Sequence, residues 1–272
     1  MADKIAFIGA GNMARSLVGG LLRHGYPATS LATADPDAGQ RANMAALGVA
    51  SSDSNAATID GAASIVLAVK PQVLGSVVAN LKGNLHTGQL LISIAAGVPS
   101  TAIARWSPPD MGIVRCMPNT PALYGAGVTA LFANERVTPP QHAAAESILS
   151  AVGHVIWVDD ESAIDAVTAV SGSGPAYFFY LMEAMIDAGV ALGLDEATAR
   201  TLTLKTVYGA AVMANESDLA PAVLRRNVTS PGGTTERAIS VLDAGQGKSL
   251  VEKAVREAAQ RSVELAKEFG AQ

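Results

Sequence analysis

Six residues near the amino terminus, Gly9-Ala10-Gly11-Asn12-Met13-Ala14, carry the clearest chemical signal in the chain. They come after a short apolar run, Ile5–Ile8, and open a helical pattern over residues 13–23. In that context the spacing GxGxx(G/A) fits a dinucleotide pyrophosphate. Gly9 permits the tight turn, Gly11 leaves room for phosphate against the backbone, and Ala14 lets the helix pack on the strand. The helix N-terminus then offers free N–H groups and the positive end of a dipole. Asp35 ends the second apolar run and has two readings. It bonds the adenosine ribose and disfavours a 2′-phosphate, or it caps the next helix. Arg41, a turn or so further on, can offset its charge, so the choice between NADP and NAD stays open here.

Ala68-Val69-Lys70-Pro71 and Ser93-Ile94-Ala95-Ala96-Gly97 come after the third and fourth apolar runs. Strand exits of this kind hold ligands in parallel sheets, and the small residues of the second segment admit a flat nicotinamide ring. Ordinary packing is the alternative. Two hydroxyl-rich glycine loops come later, Val170-Ser171-Gly172-Ser173-Gly174-Pro175-Ala176-Tyr177 and Asn227-Val228-Thr229-Ser230-Pro231-Gly232-Gly233-Thr234-Thr235. Each precedes a helix, and Ser173 is a substrate-binding candidate in the first. The second offers N–H groups near Gly233, Thr234 and Thr235 with two hydroxyls, which is a carboxylate site by geometry. Capped turns explain both loops equally well.

Other chemistries lack their residues. His24, His86, His142 and His154 are scattered with no HExxH, and no GxSxG is present. Gly247-Lys248-Ser249 fails as a phosphate loop because Leu242 stands where its first glycine belongs. Cys116 reads as a packed core thiol, and Lys70 as ordering a strand exit rather than acting as a base. No metal set is expected. Hydride transfer to an activated C=N needs no side-chain nucleophile, and the missing triad fits that chemistry.

The pattern also gives the elements that must position these groups. Apolar runs at 5–8, 31–35, 64–69 and 90–94, with weaker ones at 112–117 and 128–132 and a last at 155–158, read as strands. Helical spacing at 13–23, 38–47, 71–81 and 141–152 alternates with them. That alternation predicts an α/β fold, a parallel sheet with helices on both faces forming a Rossmann-type dinucleotide-binding domain over residues 1–160. From 161 to 272 the pattern is all helical, at 162–170, 175–192, 196–215, 218–226, 234–244 and 249–269. Residues 176–194 are apolar almost all round, which fits burial in a homodimer or at the centre of a monomeric bundle. The net charge of −5 argues against a nucleic-acid partner. No apolar run is long enough to span a membrane and no cleavable leader is evident. The single cysteine fits a reducing compartment, so the expected location is cytoplasmic.

GAGNMA, AVKP, SIAAG, RCMPNTPA, SGSGPAY and SPGGTT, in this order and spacing, resemble the Δ1-pyrroline-5-carboxylate reductase family over nearly the whole chain. The resemblance implies reduction of the cyclic imine pyrroline-5-carboxylate to L-proline with NADPH or NADH. It also implies a helical dimerisation and substrate-binding domain over 161–272, with homodimers that assemble into rings. By motif match it gives the pyrophosphate to Gly9–Ala14 and the nucleotide to Asn55 and Ala68–Pro71. Further cofactor contacts fall to Ala96 and Asn227. Thr234 and Thr235 take the substrate carboxylate and imine region, and Asp218 stands near substrate. The Thr235 hydroxyl becomes the catalytic candidate, bonding the imine nitrogen. Many members carry polar, uncharged residues where this chain has Ala34-Asp35, which leaves strict NADP preference in question. Two rivals accompany this reading. A hydroxy-acid dehydrogenase of the same plan needs a lysine or histidine acid/base in the helical half, and none stands in the glycine loops. A nucleotide-sensing module would bind cofactor and turn nothing over.

Overall fold

The continuous apolar runs form strands. They are β1 (Ile5–Ile8), β2 (Leu31–Ala34), β3 (Ala50–Ser52), β4 (Ser64–Leu67), β5 (Leu90–Ser93), β6 (Gly112–Met117), β7 (Gly127–Ala133) and β8 (Gly153–Trp157). In this computed structural model, which describes residues 2–270, they pair in one sheet of order β3-β2-β1-β4-β5-β6-β7-β8. β1 lies between β2 and β4, parallel to both. The chain therefore leaves β1 at the point where strand order reverses, and a crevice opens there in sheets of this class.

Helices α1 (Asn12–Arg23), α2 (Ala38–Ala45), α3 (Asn55–Ile59), α4 (Pro71–Leu81), α5 (Ser100–Trp106) and α6 (Pro139–Ser150) cover the two faces, and α7 (Ala163–Val167) comes after β8. Alternate strand residues feed two cores. Phe7, Ile92 and Val114 pack with Leu17, Leu21 and Leu149 on one side. Ile8, Ile65 and Leu91 pack with Leu74, Val78 and Ile103 on the other. Each fully buried side chain of this size contributes about 1.5–3 kcal/mol.

The structure corrects the all-parallel expectation at one place. β7 runs antiparallel to β6, with Met117 opposite Ala130. The connection, residues 118–126, holds only the short turn Thr120–Tyr124. That is too short for a right-handed crossover, which takes a dozen residues or more. The α6 crossover then returns β8 parallel to β7. β3, α3 and α5 are elements that the hydrophobic pattern did not mark.

Two compact units divide the described residues, 2–173 together with 257–270, and 174–256. The pattern change expected at 160 lies just after the last strand. The first unit runs further because α7 packs against β6 and β7, burying Ile164, and the turn after it buries Ala169. The tail of α12 (Gly247–Gly270) also belongs to it. Phe269 enters the second core, Leu265 packs beside it, and Arg105 donates to the carbonyl of Gly270.

The second unit contains α8 (Gly174–Ala191), α9 (Glu196–Asn215), α10 (Pro221–Asn227), α11 (Thr234–Ala244) and the start of α12. α10 begins at 221 rather than 218, with Pro221 in its first turn, where a missing N–H costs nothing. Ala199 is the one buried apolar side chain among the described residues of this unit. Phe178, Phe179, Tyr180 and Leu181 are each more than half exposed. No helix among the described residues is long and apolar enough to cross a membrane.

Candidate active site

The exit of β1 is held by backbone and by one carboxylate. Gly9 N–H donates to Ala34 O at 2.8 Å, and Ala68 N–H donates to Ile8 O at 2.7 Å. Gly9 has φ +96°, and a Cβ there would lie 2.5 Å from Ala68 O. Only glycine satisfies both conditions. Gly11 differs. Its φ is −68°, and a Cβ would meet no protein atom within 4 Å. The space beside it is open, and α1 begins there without a side-chain cap. The first-turn amides of Asn12, Met13 and Ala14 therefore face a cradle suited to phosphate oxygens. Ala10 and Ala14 are buried against the core, and Met13 packs partly on it. The Arg15 guanidinium donates to Asn12 Oδ1 at 3.2 Å, which adds a cation beside the turn.

Asp35 belongs to this turn. Its Oδ2 accepts from Ala10 N–H at 2.8 Å, and its Oδ1 accepts from Asp37 N–H at 2.9 Å. Asp37, not Asp35, caps α2, accepting from Gln40 N–H. The cap reading of Asp35 is thereby removed, because the carboxylate braces the glycine turn instead. Arg41 Nη1 donates to the carbonyls of Asp35 and Pro36 at 2.9 and 2.8 Å. Its charge is pinned at the exit of β2, and its other guanidinium donors make no hydrogen bond among the described residues.

Asn55 opens α3, three residues past Ser52, whose carbonyl accepts from Asp35 N–H at 3.1 Å. Ala68 and Val69 are half-buried at the exit of β4, Lys70 is exposed, and Pro71 starts α4. Ala96 is half-buried beyond β5. Its neighbour Gly97 lies against the tail of α12, where a Cβ would be 3.0 Å from Leu265 Cβ. The first unit thus gathers Gly9–Ala14, Asp35, Asn55, Ala68–Pro71 and Ala96 along the carboxyl edge of one sheet. Ser173 also belongs to this unit, and its N–H donates to Thr168 O at 2.8 Å. Cys116 is fully buried, and burial pushes its thiol far above the ordinary range, so it is no nucleophile.

The second unit carries Asp218, Asn227, Gly233, Thr234 and Thr235. Asp218 and Asn227 are exposed, the latter as the last residue of α10. Gly233 caps α11, so Thr234 and Thr235 form its first turn. The loop uses two of its own amides. Gly233 N–H donates to Ser230 O at 3.0 Å, and Gly232 N–H donates to Glu236 Oε2 at 2.8 Å. The candidate carboxylate site narrows to the amides and hydroxyls of Thr234 and Thr235. Sequence reasoning missed Glu236, although a glutamate three residues after a cap is a recognised reach-back position. It also missed that Arg41 bonds backbone carbonyls, for which no sequence signal exists.

Comparison with known proteins adds to this geometry. Residues 161–265 match a family model described as pyrroline-5-carboxylate reductase dimerisation. Residues 4–97 match one described as NADP oxidoreductase coenzyme F420-dependent. The chain is 52% identical to the pyrroline-5-carboxylate reductase of Pseudomonas aeruginosa over 98% of both chains. It is 44% identical to that of Haemophilus influenzae, covering 96% of this chain and 97% of the other. Among solved structures, a pyrroline-5-carboxylate reductase from Coxiella burnetii superposes with a TM-score of 0.93 at 44% identity, covering 98% of this chain and 99% of that one. The Plasmodium falciparum pyrroline carboxylate reductase with NADP bound gives 0.86 at 31% identity, covering 97% and 98%.

Proposed function

This chain belongs to the pyrroline-5-carboxylate reductase family, and from that premise we propose how its residues divide the work of reducing an imine. It is an NAD(P)-dependent oxidoreductase of proline biosynthesis that converts 1-pyrroline-5-carboxylate to L-proline. The open cradle at Gly11, bounded by the uncapped start of α1, is the observation that carries the reading.

Gly9–Ala14 hold the pyrophosphate through first-turn amides, with Asp35 keeping the turn in shape from behind. Asn55, Ala68–Pro71, Ala96 and Asn227 line the nucleotide. When bound, the reduced nicotinamide would supply a hydride to the C=N carbon, with the nitrogen's proton coming from water. The amides of Thr234 and Thr235 take the substrate carboxylate at the positive end of α11, and Ser173 and Asp218 complete the substrate contacts. The Thr235 hydroxyl bonds the imine nitrogen and fixes the ring's orientation. Holding the reacting atoms in line is the protein's main contribution, since the cofactor carries the chemistry.

NADPH is the preferred cofactor in this reading. Asp35 spends its carboxylate on two backbone amides, while Arg41 is fixed at the same strand exit with donors to spare for a 2′-phosphate. The working unit is a homodimer or a ring of dimers, supported by the exposed aromatic and aliphatic residues of α8. The expected setting is the cytoplasm.

Incubation with pyrroline-5-carboxylate should form L-proline in step with nicotinamide oxidation, with higher kcat/KM for NADPH than for NADH. Tight NADPH binding with no proline formed would return the hydroxy-acid and sensor readings.

A further inference from the structure

A buried amide connects two of the chain's motifs. β6 ends at Met117, opposite Ala130 of β7. Two residues on, Asn119 continues that register with its side chain, and its Oδ1 accepts from Val128 N–H at 3.0 Å. Its Nδ2 donates to Ser171, at 3.3 Å to the carbonyl and 3.4 Å to the hydroxyl. Asn119 is only 9% exposed, so these are bonds that water does not replace.

Ser171 lies in a segment with unusual winding. Thr168–Gly172 is a π-helical turn directly after α7. The Ser173 N–H reaches back five residues to Thr168 O. One extra residue in a turn rotates the next helical residues by roughly 100° relative to an ordinary helix. Such turns are rare and persist where something holds them, often beside functional groups. Here two things hold it. Asn119 bonds Ser171 from one side. Gly172 makes room for Met117 on the other, since a Cβ there would lie 2.4 Å from Met117 Cε. The next residue is Ser173, half-buried.

We infer that Asn119 is a positioning residue of the reduction, acting through Ser171 and the wide turn Thr168–Gly172 to hold the Ser173 hydroxyl for substrate. The inference rests on Ser173 being a substrate contact. It adds a residue from the end of β6 to a loop that lies more than fifty positions away in sequence.

The test uses three variants of the full chain, Asn119→Asp, Ser171→Ala and Ser173→Ala. Each is measured for KM of pyrroline-5-carboxylate, kcat, NADPH Kd and Tm. Asn119→Asp keeps the shape and the bond to Val128 but turns a donor into an acceptor facing two oxygens. It should raise the KM for the imine about tenfold, with NADPH Kd unchanged. Ser171→Ala removes one of the two acceptors and should raise KM by about threefold. A purely structural Asn119 would lower Tm and the active fraction while leaving KM alone, and that result overturns the inference. Should Asn119→Asp fail to fold, an unchanged KM in Ser171→Ala overturns it equally. Raised KM in Ser173→Ala beside wild-type KM in the other two removes this inference alone. Unchanged KM in Ser173→Ala removes the substrate-loop reading and this inference with it.

Discussion

The two units of the chain handle apolar surface in opposite ways. Residues 2–173 with 257–270 bury two cores, one on each face of the sheet, and draw their glycine turn, carboxylate brace and Arg41 from within the unit. Residues 174–256 bury Ala199 and leave Phe178, Phe179, Tyr180, Leu181, Tyr208 and Leu250 largely exposed. A sheet with covered faces is complete in one chain. A set of helices with apolar surface outward is not, and a second copy is the natural cover. Nucleotide binding should therefore be a property of the single chain, and turnover a property of the pair.

The largest effect expected is at Gly11. Gly11→Val should weaken NADPH binding by roughly a hundredfold or more while shifting Tm little, because the added carbons enter ligand space rather than protein. Titration of nicotinamide fluorescence and a melting curve check both halves of that statement. Gly9→Val should give the reverse signature, a large loss of Tm, since φ +96° and the Ala68 carbonyl forbid a side chain. Equal loss of stability in both variants would mean that the two glycines do not divide the work this way.

Thr235→Ala comes next. Loss of the hydroxyl should lower kcat about tenfold, or ~1.4 kcal/mol, with NADPH Kd unchanged. Steady-state rates beside a binding titration distinguish this from damage to the nucleotide half. Wild-type turnover removes Thr235 from the chemistry. Arg41→Ala should have the smallest effect, lowering kcat/KM about fivefold for NADPH and little for NADH, and less at high salt. An equal fall with both cofactors would make Arg41 a brace of the β2 exit and nothing more.

The sequence made some parts of the fold visible and hid others for physical reasons. Ile5–Ile8, Ser64–Leu67 and Leu90–Ser93 are buried on both faces, so they read as unbroken apolar runs. Ala50–Ser52 is a sheet-edge strand of three small residues, none of them buried, and carries no such signal. Asn55–Ile59 and Ser100–Trp106 are too short to show a helical period. The direction of β7 depends on connection length, which the run 128–132 does not display. At the site, the strand–turn–helix context of Gly9–Ala14 was legible because it is local. The partners of Asp35 were not, since a carboxylate at a strand end looks the same whether it bonds a ribose or Ala10 N–H. The tail of α12 has a regular apolar stripe, but the stripe alone does not say that it returns to Gly97 and the second core.

The contrast between the units is tested most directly on Leu181→Asp, which puts a charge on the exposed face of α8. Sedimentation, NADPH titration and proline formation are measured on one preparation. The expected result is a monomer that binds NADPH within about twofold of the parent and has lost most of its turnover, about a hundredfold. Monomers that form proline at the parent rate would contradict the account, because the helical unit would then be complete in one chain.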